Sequence, residues 1–306
     1  QMGKMLSDEF QTSEIRETLR TSEAENLILE LDDHLVHIPW ELLCIGQDRE
    51  FLCQRINTGR RIRTAQEVVS TQKRLLGEPP MMWIIANPGN DLPDADSEGE
   101  IICKTLDQMD IRGPLIFADM DPEVRPDEMK DRMKDYDFIH FAGHADYHHQ
   151  SPERSGWRLT NGKFTSREIA EITGDPMPAL IFSNACQSAR TGVWQGEDMS
   201  LVNAFMLAGV RHYLGTSWEI TDQSGSRFAA LFYNHLLSGK TVGASVSLAR
   251  TECMKDGDIS WASYLLYGDP AFRYFGDNKR TENLIRLEIT AVQKKSNLSG
   301  WWLCLL

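Results

Sequence analysis

Two stretches decide how this chain folds: Phe138-Ile-His-Phe-Ala-Gly-His144-Ala and, further along, Leu180-Ile-Phe-Ser-Asn-Ala-Cys186-Gln-Ser. Each is a run of strand-forming apolar residues that passes through a small residue to a chemically active one. Continuous apolar runs are the mark of strands buried on both faces, and in open parallel sheets sites gather at the carboxyl ends of such strands. If the two strands are neighbours, they deliver an imidazole and a thiol to one sheet edge. A thiol attacks as thiolate, and a nearby histidine can take its proton and return it to a leaving amine. The chemistry implied is nucleophilic attack on a peptide carbonyl.

Simpler readings compete. A lone buried cysteine is usually a small hydrophobe, and a histidine near a strand end is often satisfied core. The recurrence His140, His144, His148, followed by His149, offers metal-ligand spacing on a helix. These residues read as strand, however, where positions four apart lie roughly 13 Å apart, so no metal site is expected.

Composition narrows the function classes. With 306 residues, 41% of them hydrophobic and 25% charged, the chain reads as globular. Its net charge of −13 argues against nucleic-acid binding, which needs excess Lys and Arg to neutralise phosphates. The exception is a basic cluster, Arg55, Arg60, Arg61 and Arg63, read as a solvated strand-and-turn surface or a place for an acidic partner. Six scattered cysteines without CxxC spacing argue for a reducing compartment. There is no basic-plus-apolar leader and no apolar run long enough to span a membrane, so a cytoplasmic protein with protein partners is expected.

Along the chain, residues 1–25 form a polar segment, read as a short helix or the frayed end of something longer, and 26–80 a smaller N-terminal α/β part. There Leu27–Leu31 and Phe51–Ile56 read as strands and Ile38-Pro-Trp-Glu-Leu-Leu43 as a short helix. From 81 to 276 strands and helices alternate, which predicts a mainly parallel sheet with helices on both faces. Met81–Ala86 is a strand ending in the turn Asn87-Pro-Gly-Asn90, followed by a helix near Ser97–Met109 and a strand at Leu115–Phe117. Asn161-Gly162 marks a hairpin and Thr165–Glu168 a capping box. Helices follow from Ser200 to Ala208, stopped by Gly209, from Asp222 as N-cap to Leu237, and from Val242 to Met254. Residues 277–306 form a less regular C-terminal tail.

Several ordered motifs together resemble the CHAT peptidases, relatives of caspases and separases. They are Phe141-Ala-Gly-His144, Ser183-Asn-Ala-Cys186-Gln-Ser, Ala208-Gly209-Val210, Gly215-Thr-Ser-Trp218, Phe232-Tyr233 with Leu236, and Tyr267-Gly268-Asp269-Pro270, with Ile38–Leu43 upstream. The resemblance covers roughly residues 26 to 276. It implies a caspase-like fold with His144 as general base and Cys186 as nucleophile. The backbone N–H groups of Gly143 and Cys186 would form the oxyanion hole, and neither metal nor cofactor is implied. It further implies a protein substrate and control by a regulatory protein or sensor module, of tetratricopeptide or CRISPR-effector type, in bacterial antiviral defence or gasdermin activation. No 34-residue repeat is visible in the chain itself. The reading from another class is a catalytically idle caspase-like interaction module, which would be free to lose His144 or Cys186.

Two departures from the family pattern stand out. Ala145 follows the histidine where Gly is usual, and Trp218-Glu-Ile-Thr-Asp222 continues Gln-Ser-Gly-Ser226 rather than with further acids. The substrate-pocket candidates are Asp146, Trp218, Glu219, Asp222 and Ser226. With Asp222 read as a helix cap, the pocket lacks a free carboxylate, and an apolar or small P1 side chain is expected. The polar stretch Gln187–Met199 is expected to be a regulatory loop that orders on activation.

Overall fold

The structure, a computed structural model, describes residues 13–32, 35–45, 50–63, 74–110, 114–148, 150–172, 176–185, 193–194, 197–198, 200–276, 284–293 and 301–305. In chain order its named elements begin with helix α1 (Ser13–Thr21), strand β1 (Asn26–Asp32), helix α2 (Leu52–Arg55) and strands β2 (Asn57–Arg63) and β3 (Met81–Ala86). Next come α3 (Pro93–Asp110), β4 (Phe117–Asp121), α4 (Pro126–Arg132), β5 (Phe138–Ala142) and β6 (Ala145–Asp146). Then follow β7 (Gly156–Leu159), β8 (Gly162–Thr165), α5 (Ser166–Ala170), β9 (Leu180–Asn184), β10 (Val193–Trp194) and β11 (Glu197–Asp198). The remainder is α6 (Leu201–Ala208), β12 (His212–Thr216), α7 (Asp222–Leu237), α8 (Val242–Cys253), β13 (Tyr264–Tyr267), β14 (Leu284–Gln293) and β15 (Trp301–Leu305).

One ten-stranded sheet runs in the order β15-β14-β1-β2-β13-β12-β9-β5-β3-β4. All neighbouring pairs are parallel except β12 with β13 and β14 with β15. The two deciding runs are adjacent, as the sequence predicts, with Phe138 opposite Leu180 and Ala142 opposite Asn184. Along β3, Met82, Ile84 and Ala86 enter one core with α7 and α8, while Trp83 and Ile85 enter the other with α6 and the β7–β8 hairpin. Helices therefore cover both faces, which is why the strands read as unbroken apolar runs.

Local readings fare unevenly. The Thr165/Glu168 capping box forms, and Gly209 ends α6 in the left-handed region. The hairpin turn is displaced by one residue: Leu159 pairs with Gly162, so Thr160-Asn161 is the turn and Asn161 alone has positive φ. The helix after β3 starts at Pro93, and the next strand spans Phe117–Asp121, its register fixed by Met81 opposite Phe117. Phe51–Ile56 is a helical turn rather than a strand. Leu52, Cys53 and Ile56 are buried at helical spacing, and the Gln54 side chain accepts the Phe51 N–H at 2.8 Å. Among the residues expected to be irregular beyond 277, 284–293 and 301–305 are strands that extend the sheet past β1.

The basic cluster also needs correcting. Arg60 is fully buried, in a bidentate pair with the buried Glu41, and its remaining donors reach the carbonyls of Val36 and Ile38. Burial pushes the Glu41 carboxyl up, but the guanidinium outweighs it and holds that carboxyl below its usual range. The neighbouring arginines form surface pairs, Arg61 with Glu30 and Arg63 with Glu288. Because Arg60 also pairs in register with Tyr267 of β13, the Glu41 pair anchors the N-terminal part to the rest of the sheet. Glu41→Ala leaves that guanidinium buried and uncompensated. Urea denaturation should show a loss of about 3–5 kcal/mol, with Glu41→Leu/Arg60→Met losing less than the sum of its single changes.

Candidate functional site

The site grows out of the β5–β9 pairing. Ala142 and Asn184 stand opposite each other at the strand ends. In sequence Gly143 and His144 follow one strand and Ala185 and then Cys186 the other, and Cys186 lies outside the described residues. So do His149 and most of Gln187–Met199, of which Val193–Trp194 and Glu197–Asp198 are described and pair antiparallel.

Main-chain bonds fix both ends. The His144 carbonyl accepts from Arg158 N at 2.8 Å, and the Ala142 carbonyl from Asn87 N at 2.8 Å. Thr216, at the end of β12, donates its hydroxyl to the Ala185 carbonyl at 2.6 Å. Gly143 leaves little room for a side chain: a Cβ there would lie 3.0 Å from Phe141 and 3.3 Å from Pro88. Among the described residues no group of His, Cys, Asp and Glu has the arrangement of a metal site.

Beneath the strand ends lies a polar network that the sequence reading missed. Glu98 of α3 is 4% exposed. Its Oε1 lies 2.7 Å from His140 Nε2, and Asn184 Nδ2 lies 2.7 and 2.8 Å from its two oxygens. His140 Nδ1 meets the Tyr233 hydroxyl at 3.1 Å, and the Tyr264 hydroxyl donates to Asn184 Oδ1 at 2.9 Å. With Tyr233 donating to Nδ1 and Nε2–H donating to Glu98, every partner is satisfied and the carboxylate acts only as acceptor. Burial and Glu98 together raise the Tyr233 phenol well above its usual value, which keeps that donor protonated.

His144 stands between two cavities. The wider, about 320 Å³, lies between the Asn87–Leu92 loop and the β7–β8 hairpin and includes Asp91, Arg158 and Lys163 in its wall. The narrower, about 70 Å³, is bounded by Glu98, Gly143, His144, Asn184, Asp222 and Gly225, with Leu92, Ala95, Ala142 and Ile220 completing it. Gly225 keeps this cavity open, since a Cβ there would fall 2.7 Å from Asn184 Nδ2.

The pocket candidates divide. Asp222 borders the narrow cavity, but it does not cap its helix; the Thr221 hydroxyl does, accepting from Ser224 N. Partial burial, contact with the Asp94 carboxyl and the charge of Glu98 raise the Asp222 carboxyl, while His144 opposes them. Asp146 faces away, neutralised by Arg158 and Lys163 of the hairpin, and Ala145 beside it pairs with Trp157. Trp218 packs half-buried on the core, Glu219 is exposed, and Ser226 turns its hydroxyl back to the Asp222 carbonyl. None of Asp146, Trp218, Glu219 and Ser226 borders the narrow cavity.

The sheet, its crossover helices and the paired strand ends define a caspase-like α/β fold. Residues 2–269 match the CHAT domain, and the chain belongs to that family. Its fold is similar to that of Saccharomyces cerevisiae separase in the separase-securin complex, with a TM-score of 0.51 at 17% identity over 79% of this chain. The chain spans only 15% of that separase. It is also similar to Porphyromonas gingivalis RgpB, from the complex of its pro- and mature domains, with a TM-score of 0.60 at 17% identity over 92% of this chain and 73% of the other. At such identities the likeness is one of fold. No curated protein sequence matches the chain. No described helix is long and apolar enough to cross a membrane.

The raised Asp222 carboxyl makes a linkage prediction. Because its folded pKa exceeds its unfolded value, the ionised form opposes folding above the unfolded value, near 3.8, and the cost disappears as pH falls through both. Asp222→Asn should therefore be more stable than the parent near neutral pH. Denaturation at descending pH should show the two stabilities converging once both carboxyl forms are protonated.

Proposed function

We propose that this chain is a cysteine endopeptidase that cleaves after a basic side chain, with Cys186 as nucleophile and His144 as general base. The observation that carries this reading is the narrow cavity beside His144 with the buried Glu98 in its wall. The Cys186 proton passes to the imidazole, the thiolate adds to the scissile carbonyl, and the N–H groups of Gly143 and Cys186 receive the oxyanion. Collapse breaks the C–N bond as the imidazolium protonates the amine. Water then hydrolyses the thioester with His144 again as base.

The expectation of an apolar P1 rested on Asp222 as a helix cap, a role that Thr221 fills. Released from it, Asp222 stands with Glu98 and Asp94 in a zone of mutual carboxylate repulsion. A guanidinium or ammonium entering there relieves the repulsion and gains charge-assisted hydrogen bonds, worth about 1.5–3 kcal/mol each. Partner proteins fit the same reading: the separase neighbour was determined in complex with securin. Control by a sensor module or separate protein and a role in bacterial defence of the CRISPR-associated or gasdermin-activating kind follow from the family resemblance alone, whereas a cytoplasmic setting and a regulatory role for Gln187–Met199 rest on composition.

Peptide-library profiling should show Arg or Lys at P1. Glu98→Gln and Gly225→Ala should each lower kcat/KM for those substrates roughly 10- to 100-fold, while Cys186→Ala and His144→Ala abolish cleavage. Selection of apolar P1 residues would overturn the pocket, and full activity of Cys186→Ala would overturn the mechanism in favour of an interaction module. Iodoacetamide should label Cys186 ahead of Cys44, Cys53, Cys103 and Cys253. Burial pushes Cys53 and Cys253 up to about 11 and raises Cys103 as well, so those thiols are poor nucleophiles near neutral pH. Chelators should leave activity unchanged.

A further inference from the structure

We propose that Asp91 is a positioning residue for His144, completing a Cys186–His144–Asp91 relay; this rests on the assignment of His144 and Cys186 as the reacting pair. His144 Nε2 lies 3.3 Å from Asp91 Oδ2. An imidazole that presents Nε2 to a carboxylate has only Nδ1 left for the thiol. Asp91 thereby selects the tautomer and stabilises the imidazolium formed when Cys186 gives up its proton.

Asp91 is built into this place by its loop. Asn87, 4% exposed and left-handed with φ 53°, uses Oδ1 to accept the main-chain N–H groups of Asp91 at 3.0 Å and Leu92 at 2.8 Å. Its Nδ2 holds Asp96 at 2.8 Å, and its own N–H is bonded to Ala142 at the end of the strand that carries His144. The loop bearing the acid and the strand bearing the base are thus fastened to each other four residues before Asp91 and two before His144. Gly89 gives the carboxylate room: a Cβ there would stand 2.8 Å from Asp91 Oδ1. Other charged groups lie around the same imidazole, with Asp222 of α7 bordering its narrow cavity and Arg158 and Lys163 of the hairpin its wider one. Arg158 and Lys163 are already held by Asp146, and Asp91 is the carboxylate in contact with His144.

The test reads the rate of Cys186 alkylation by iodoacetamide against pH, which needs no substrate, and then kcat and KM on an arginyl-coumarin peptide. Asp91 is 55% exposed and makes no side-chain bond needed by the fold, so Asp91→Asn should melt like the parent. It should raise the apparent thiol pKa by roughly one unit, the scale of one exposed charge about 4 Å away, and lower kcat roughly tenfold with KM unchanged. Asp91→Glu should restore part of both. Gly89→Ala, whose φ is ordinary, should reproduce the defect in part by displacing the carboxylate. If His144→Ala loses the low-pH alkylation while Asp91→Asn keeps the parent profile and kcat, the positioning role is overturned and the reacting pair stands. If His144→Ala also keeps the parent alkylation profile, the pair and the role fall together.

Discussion

Everything at the site depends on the parallel register of β5 and β9. Side chains alternate between faces along a strand, so a slip of one residue would exchange the two cores of the molecule. In the observed register His140, Phe182 and Asn184 face α3 and α7, while Phe141 and Ser183 face the hairpin and α6. Both faces carry large rings that fit only one way. Phe141 stacks on Trp157 at 4.4 Å, and Phe182 meets Phe232 edge-on at 5.4 Å. The indole N–H of Trp157 reaches Ser183 Oγ on the neighbouring strand at 2.8 Å, a bond available to one register alone. Side-chain packing far from the cavity thus decides that the chains leading to His144 and Cys186 leave the sheet side by side.

The same register explains the buried carboxylate. A Glu side chain with 4% exposure survives because three polar groups from different elements meet it: His140 from β5 and Asn184 from β9 directly, with Tyr233 of α7 behind the imidazole. Removing water from such a network strengthens each bond and makes any unpaired member costly. The network therefore joins α3 and α7 to the strand ends. These helices hold the two carboxylates that border the narrow cavity. In the proposed reading, packing and recognition share one set of atoms: the groups that stabilise Glu98 also hold it in the wall of the narrow cavity.

How much of this was legible follows from where each signal lies. The β5 and β9 runs, the capping box at Thr165 and the helix stop at Gly209 are local patterns, and local patterns survive into the structure. Glu98 stands in the sequence among Asp94, Asp96 and Glu100, so its charge alone does not single it out. The signal was present in the spacing, because Ala95, Ile102 and Leu106 mark the buried stripe of α3 and Glu98 falls on it. An acid on an apolar stripe is worth following. Arg60 deceived for the complementary reason: its neighbours Arg61 and Arg63 are surface residues, and its partner Glu41 lies outside any pattern that a strand reveals. Asp222 was misread by one position, since Thr221 and Asp222 are both competent caps and only the backbone distinguishes them.

The Arg60–Glu41 pair gives the N-terminal part a role in the site despite its distance from the chemistry. Arg60 reaches Tyr267 in register, its carbonyl accepts the Gly268 N–H at 2.9 Å, and its guanidinium lies over the Tyr267 ring. Gly268 has φ 121° and no room for a side chain, because a Cβ would fall 2.4 Å from His212. His212 opens β12, the strand whose far end holds the Ala185 carbonyl through Thr216. A continuous path of main-chain bonds and close contacts therefore runs from Glu41 to the residue that precedes Cys186. Strands buried on both faces have little freedom to shift singly. The motif Ile38–Leu43 and the Cys186 run are thus parts of one mechanical unit, which gives their joint occurrence in the chain a physical cause.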